Sequence, residues 1–313
     1  GVISDIHPLS VGVVGTYSAK CANRIVSQAD VVLFIGCNTG DQVTFNWKLP
    51  KEGTQVIQID IDPAEVGRNY LSTVGICGDP KVTVQKLIAE AGKIPPKEKW
   101  SRYAGAVVEE WRNEIDSLRN SDTVPIAPER LCREIGDVLP EKGILVSDTG
   151  YSAIWSSTMT DLHRPGQRYI RAAGSLGWAF PASLGAKCAA PDRPVVCFNG
   201  DGAFWYHIAE LETALRWGIR TVTIVNNNSG FGQSRKGIDS AYGEDSGNRE
   251  QVYTFKDINF AEIAHTIGCL GIRVESPEDI APAIRKALDS DVPAVVDVIT
   301  DVKATAPEVW DAS

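Results

Sequence analysis

The stretch "NGDGAFWYHIAELETALRWGIRTVTIVNNN" spans residues 199–228. It follows the β-branched run "VVCFN" (195–199) and contains a second one, "TVTIVN" (221–226). Between them, Phe204, Ile208, Leu211 and Leu215 recur at helical spacing, and Gly218 can end the helix. The spacing predicts strand, helix (203–217), strand. Asp201 and Asn228 then both follow a strand and reach the same edge of a sheet. In open parallel sheets that edge is where ligands bind.

The pattern continues on both sides. Downstream of residue 125 the sequence predicts helices at 127–139, 178–190, 260–268 and 277–288. Strands are predicted at 143–147, "GIRVE" (271–275) and "AVVDVIT" (294–300). Such alternation implies a doubly wound parallel sheet. Upstream, "VVLFIG" (31–36) and "QVIQID" (55–60) look like buried parallel strands. "PKVTVQKLIAEAG" (80–92) looks like an amphipathic helix with Val84, Leu87, Ile88 and Ala91 on one face. Residues 93–125 are rich in Pro, Lys, Glu and Arg and read as an exposed helical linker. The expected organisation is an α/β domain at 1–92, a linker at 93–125 and a second α/β domain at 126–313.

Composition narrows the function. A net charge of -9 without a basic run argues against nucleic acid. Seven scattered cysteines without a CxxC pair suggest free thiols, a reducing compartment and a cytoplasmic protein. No apolar run is long enough to span a membrane.

The chemistry gathers at Asp201. A helix start behind Gly-Asp-Gly offers free N–H groups to a diphosphate. Asp201, the Asn228 amide and the Gly230 carbonyl of "NSG" supply only oxygens, which suits magnesium. "AAGSLGWAFPASLGAK" (172–187) places glycines and an apolar Leu176 before a further helix.

These pieces resemble the thiamine-diphosphate enzymes of the acetolactate synthase and benzoylformate decarboxylase type. Gly200–Gly202 followed by Asn227–Asn228 is similar to the family's diphosphate motif. "GSLGWAFPASLGAK" resembles its aminopyrimidine segment, and "SDTGYSAIW" (147–155) its diphosphate cap. "DIHPLSVGVVGTYSA" and "VIQIDIDPAEVGRN" resemble its middle domain. The resemblance covers nearly the whole chain. It implies two domains of the thiamine-diphosphate-binding fold, with thiamine diphosphate and Mg2+ as cofactors. By position, Asp201, Asn228 and Gly230 would hold the metal. Leu176 would wedge the bent cofactor, and the Gly174 carbonyl would accept from its amino group. Thr149, Gly150, Tyr151, Ser152, Ser175, Gly200, Gly202, Ala203 and Phe231 would line the cofactor.

The resemblance also sets expectations outside this stretch. The family's catalytic glutamate lies on an N-terminal pyrimidine-binding domain, which the chain is expected to lack, either as an internal piece of a longer precursor or because another polypeptide supplies that domain; a cleaved, split or truncated enzyme is the expectation. Alone, the chain is expected to bind cofactor weakly and turn over nothing. The working enzyme would be a homo- or hetero-oligomer acting on a small 2-keto acid. FAD is not expected, since "GCNTGDQVTFNW" (36–47) lacks the arginine of the family's flavin stretch. Other readings remain open: carbon–carbon lysis of a hydroxyacyl thioester or diketone, or a non-catalytic cofactor-binding or regulatory subunit. No GxGxxG follows a strand, which argues against a nicotinamide enzyme. His207, His163, His265, His7, Trp205 and Tyr206 are read as packing or solvated residues.

Overall fold

The computed structural model describes residues 3–71, 73–92, 94–95, 97–172, 174–243 and 247–310. The chain divides into two compact units. The smaller holds residues 11–114 with 308–313, and the larger holds 1–10 with 115–307.

The smaller unit contains α1 (Lys20–Val26), β1 (Val31–Ile35), β2 (Gln55–Asp60), β3 (Thr73–Cys77), α2 (Pro80–Ala91) and most of α3 (Glu98–Arg119). Its parallel sheet runs β1-β2-β3. Only the central strand β2 is largely buried. On β1, Val31, Leu33 and Ile35 remain 45–47% exposed, against the expectation of a buried strand. An edge strand has a neighbour on one side only, so its apolar residues reach water unless a layer covers them. The predicted face of α2 is likewise uncovered: no residue of that helix is buried. Asn23 of α1 anchors the preceding loop, accepting from the Gly15 amide at 2.9 Å and donating to its carbonyl at 3.1 Å.

Residues 93–125 are not a separate linker. Helix α3 fills most of them and buries Ala104, Val107, Trp111 and Ile115 at steps of three and four residues along one stripe. Its first part belongs to the smaller unit and its last turn to the larger. Residues 1–10 also fall with the larger unit. Asp5 shows why: its amide donates to the Leu162 carbonyl at 3.0 Å and its carboxylate accepts from the Leu162 amide at 2.8 Å.

The larger unit alternates α4 (Pro128–Val138), β4 (Ile144–Ser147), α5 (Tyr151–Met159), β5 (Arg168–Arg171), α6 (Ala179–Ala189) and β6 (Val195–Gly200). It continues with α7 (Asp201–Trp205), α8 (Glu210–Arg216), β7 (Val222–Asn227), α9 (Gly232–Tyr242) and α10 (Glu250–Tyr253). The last elements are α11 (Phe260–Ile267), β8 (Leu270–Val274), α12 (Ile280–Leu288) and β9 (Ala294–Ile299). All six strands are parallel, in the order β5-β4-β6-β7-β9-β8. The central four are almost wholly buried, so they read as continuous apolar runs.

The helix predicted at 203–217 is two helices. Between α7 and α8 the amides of Tyr206, His207, Glu210 and Leu211 bond to carbonyls three residues back, not four. These tighter turns redirect the chain and leave α7 only five residues long. Phe204, fully buried, still anchors the core. Its ring meets Phe180 at 5.2 Å and Phe260 at 5.6 Å, both edge to face. Replacing Phe204 with alanine should cost about 3–5 kcal/mol, read as a lowered urea midpoint at unchanged slope.

Candidate functional site

The path of the sheet creates the site. From β4 the chain steps outward to β5, then returns across β4 to β6 and onward to β7. The reversal falls between β4 and β6, and a crevice opens beyond their carboxyl ends. An open cleft of about 520 Å³ lies there. Residues following β4, β6 and β7 line it.

After β4, the chain turns at Gly150 directly into α5. Thr149 and Gly150 thus lead into, and Tyr151 and Ser152 begin, a nine-residue helix whose start lines the cleft. Free N–H groups and the positive helix end face it. The residue pattern did not predict this helix, which begins within the segment that resembles the diphosphate cap. Helix α7 is too short to carry a comparable dipole.

After β6 comes Asp201, only 2% exposed. One of its oxygens accepts from the Gly202 amide at 2.7 Å, and the other from the Gly230 amide at 2.9 Å. The second bond fastens the end of β6 to the loop after β7. Gly200, Gly202, Ala203, Asn228, Gly230 and Phe231 all line the same cleft. A Cβ at Gly202 would lie 2.3 Å from the Phe231 ring, so any side chain there requires that ring to give way.

Of the pyrimidine-side residues, half-buried Leu176 lines the cleft, while Gly174 and Ser175 are exposed and do not. The turn that carries them is held from below. Asp148, fully buried, accepts from the amides of Thr149 and Gly177 (both 2.9 Å) on one oxygen and of Ala179 (2.8 Å) on the other. Gly177 adopts φ +86°, and a Cβ on it would lie 2.6 Å from Cβ of Tyr206. His207 donates through Nδ1 to the Gly177 carbonyl at 2.9 Å. His207 thus braces the turn, and Trp205 packs on Phe260 with ring centroids 5.0 Å apart.

Sequence reasoning missed Asp148, Trp155, Asn226, Gly232, Gln233 and Ser234. The last five line the cleft. It also missed Asp297, a buried carboxylate on β9 that accepts from Asn227 Nδ2 at 2.9 Å and the Phe260 amide at 3.0 Å. Asn227 also donates to the Ile258 carbonyl, so its amide is committed to the scaffold. Asn226 and Asn228 instead face the cleft. A lone aspartate between apolar runs carries no motif, and apart from the adjacent Thr149 amide the partners of Asp148 and Asp297 lie 24 to 70 residues away in sequence.

The residues fit a magnesium diphosphate. The cleft offers one carboxylate and three carboxamides, with no cluster of three His, Cys, Asp or Glu among the described residues. That is a hard, all-oxygen environment. Two buried polar atoms lining it, Tyr151 Oη and Asn226 Oδ1, find no hydrogen-bond partner among the described residues. Buried polar groups are normally satisfied, so these call for a polar guest or water.

Comparisons with known proteins agree with this chemistry. The family description "Thiamine pyrophosphate enzyme, C-terminal TPP binding domain" matches residues 148–298, and "Thiamine pyrophosphate enzyme, central domain" matches residues 1–87. A probable acetolactate synthase large subunit of Methanococcus aeolicus is 30% identical over 316 residues, covering 96% of this chain and 52% of that protein. One from Methanocaldococcus jannaschii is 30% identical over 320 residues, covering 99% and 53%. Glyoxylate carboligase of Escherichia coli O157:H7 is 30% identical over 321 residues, covering 96% and 53%. The chain thus spans about half the length of the curated relatives it matches. Among the described residues no helix is long and apolar enough to cross a membrane.

Two predictions follow from the buried carboxylates. In Asp148→Asn, the amide nitrogen must oppose a backbone N–H. The loss of a satisfied buried acceptor should cost about 1–3 kcal/mol of stability in chemical unfolding. For Asp201, burial raises the carboxyl from 3.8 to about 7, against the lowering effect of the Gly202, Gly230 and Ser229 amides. Because the folded value lies above the unfolded one, this stabilisation is complete below 3.8 and is lost as pH rises through about 7. Without divalent cation, the melting temperature of the wild type should fall across that window relative to Asp201→Asn. Added Mg2+, replacing the proton, should offset the fall.

Proposed function

Since the chain belongs to the thiamine pyrophosphate enzymes, with their central and C-terminal cofactor-binding domains, we propose that its cleft holds thiamine diphosphate through Mg2+ for decarboxylation or carboligation of a 2-keto acid. The observation that carries this reading is the joining of Asp201, Asn228 and Gly230 in one cleft at the switch point of the sheet. Acetolactate synthase and glyoxylate carboligase relatives support a keto-acid substrate.

Bound thiamine diphosphate supplies a thiazolium carbon that can store the electron pair left when a 2-keto acid loses carbon dioxide. The chain's own residues bind and orient. Asp201, the Asn228 amide and the Gly230 carbonyl offer oxygens to the cation. The turn into α5 presents N–H groups of Gly150, Tyr151 and Ser152 to the diphosphate, with Thr149 beside them and Gly200, Gly202 and Ala203 leaving it room. Leu176 gives an apolar ledge, and Phe231 shuts the cleft beside Gly202. The Gly174 carbonyl and Ser175, outside the cleft wall, are proposed to meet the aminopyrimidine once the turn above Asp148 is engaged. FAD has no part in this reading. The working assembly is proposed to be an oligomer in the cytoplasm, with a pyrimidine-binding domain completing the site and the isolated chain turning over no substrate.

Calorimetric titration tests the reading. Thiamine diphosphate should bind the wild-type chain only with Mg2+ present. Asp201→Ala should reduce that affinity by about a hundredfold or more, the loss of a charged metal ligand. Cofactor binding that is indifferent to Mg2+ and to residue 201 would overturn it.

A further inference from the structure

Three asparagines close β7, and the structure gives them different tasks. Asn227 is spent on Asp297 and Ile258. Asn228 is the metal ligand of the functional reading. Asn226 is 3% exposed, lines the cleft, and keeps an amide oxygen without a partner among the described residues.

Register explains where this amide lies. Asn226 pairs with Gly200, the residue before Asp201. Paired residues of parallel strands project to the same face of the sheet. Gly200 has no side chain there, and the nearest atom to a Cβ on it would be Ser152 Oγ at 3.4 Å. The gap left by Gly200 thus adjoins the Asn226 amide, the start of α5 and the aspartate. Asn199 provides a contrast. Its amide is also without a partner, but it belongs to the opposite face and does not line the cleft.

A magnesium ion bound by protein and phosphate oxygens usually keeps water in its shell. Such a water is a strong donor and needs an acceptor. The cleft is crowded with acceptors committed elsewhere: both Asp201 oxygens already take backbone amides. We propose that Asn226 is a further cation-site residue, its Oδ1 accepting a hydrogen bond from a water of the magnesium ion. This rests on the functional reading above. It divides the asparagine run into one scaffold residue, one direct ligand and one residue that acts through water.

The test is titration of Mg2+ into the full chain at saturating thiamine diphosphate, followed by tryptophan fluorescence, since Trp155 lines the cleft. Asn226→Leu keeps the volume without the amide, and Asn226→Ala guards against misfolding from the bulk of leucine. Both variants should raise the Mg2+ dissociation constant about three- to tenfold, the cost of one hydrogen bond. The unfolding midpoint of the cofactor-free chain should not fall, because no protein partner is lost. A Mg2+ constant within about twofold of wild type in both variants overturns the proposal alone. Absence of Mg2+-dependent cofactor binding in the wild type overturns it together with the functional reading.

Discussion

The carboxylate of Asp148 is the point on which the cofactor side of the molecule hangs. It is completely buried and has no counter-ion within hydrogen-bonding distance among the described residues. Its charge is met by three backbone amides from two separate segments of chain. Burial drives its carboxyl above the ordinary range while those amides pull it down. The arrangement is costly to form and hard to deform. It fixes the distance between the turn before α5 and the turn before α6, the two segments that the proposed reading sets against the two ends of the cofactor.

Buried aspartates make further ties along the sheet, Asp297 with the Arg273 guanidinium at 3.3 Å as a counter-ion. Asp201 ties β6 to the loop after β7, and Asp297 ties β9 to Asn227 and to the start of α11. Each buried aspartate bridges neighbouring strand or loop segments through N–H groups. Lateral order at the carboxyl edge therefore comes from buried charges meeting backbone dipoles, whereas the sheet interior is held by apolar contact. Polar geometry at the edge and packing in the middle are separable, and a functional edge can be rebuilt without disturbing the core.

What sequence revealed depended on burial. Strands buried on both faces, such as "VVCFN" and "AVVDVIT", announce themselves as β-branched runs. The edge strand "RYIR" does not, because half its residues meet water and two are arginines. Helix α5, "YSAIWSSTM", is buried almost all round and rich in Ser and Thr, so it lacks an amphipathic period. The break between α7 and α8 was invisible because Phe204, Ile208, Leu211 and Leu215 keep helical spacing across it. At the site, the Gly-Asp-Gly and the asparagines were legible as a local motif. Asp148 and Asp297 were not, since their meaning lies in distant amides, and the difference among Asn226, Asn227 and Asn228 exists only in the register of the strands.

Gly202 and Phe231 carry a consequence for how such a sequence can change. The ring of Phe231 occupies the volume that any side chain at 202 would need. It is held there edge to face against Phe255, with centroids 4.7 Å apart. Neither residue is free to drift alone: a larger residue at 202 requires a smaller one at 231, and a smaller one at 231 leaves a void over the glycine. The two positions, 29 residues apart in the chain, are coupled sterically through one ring.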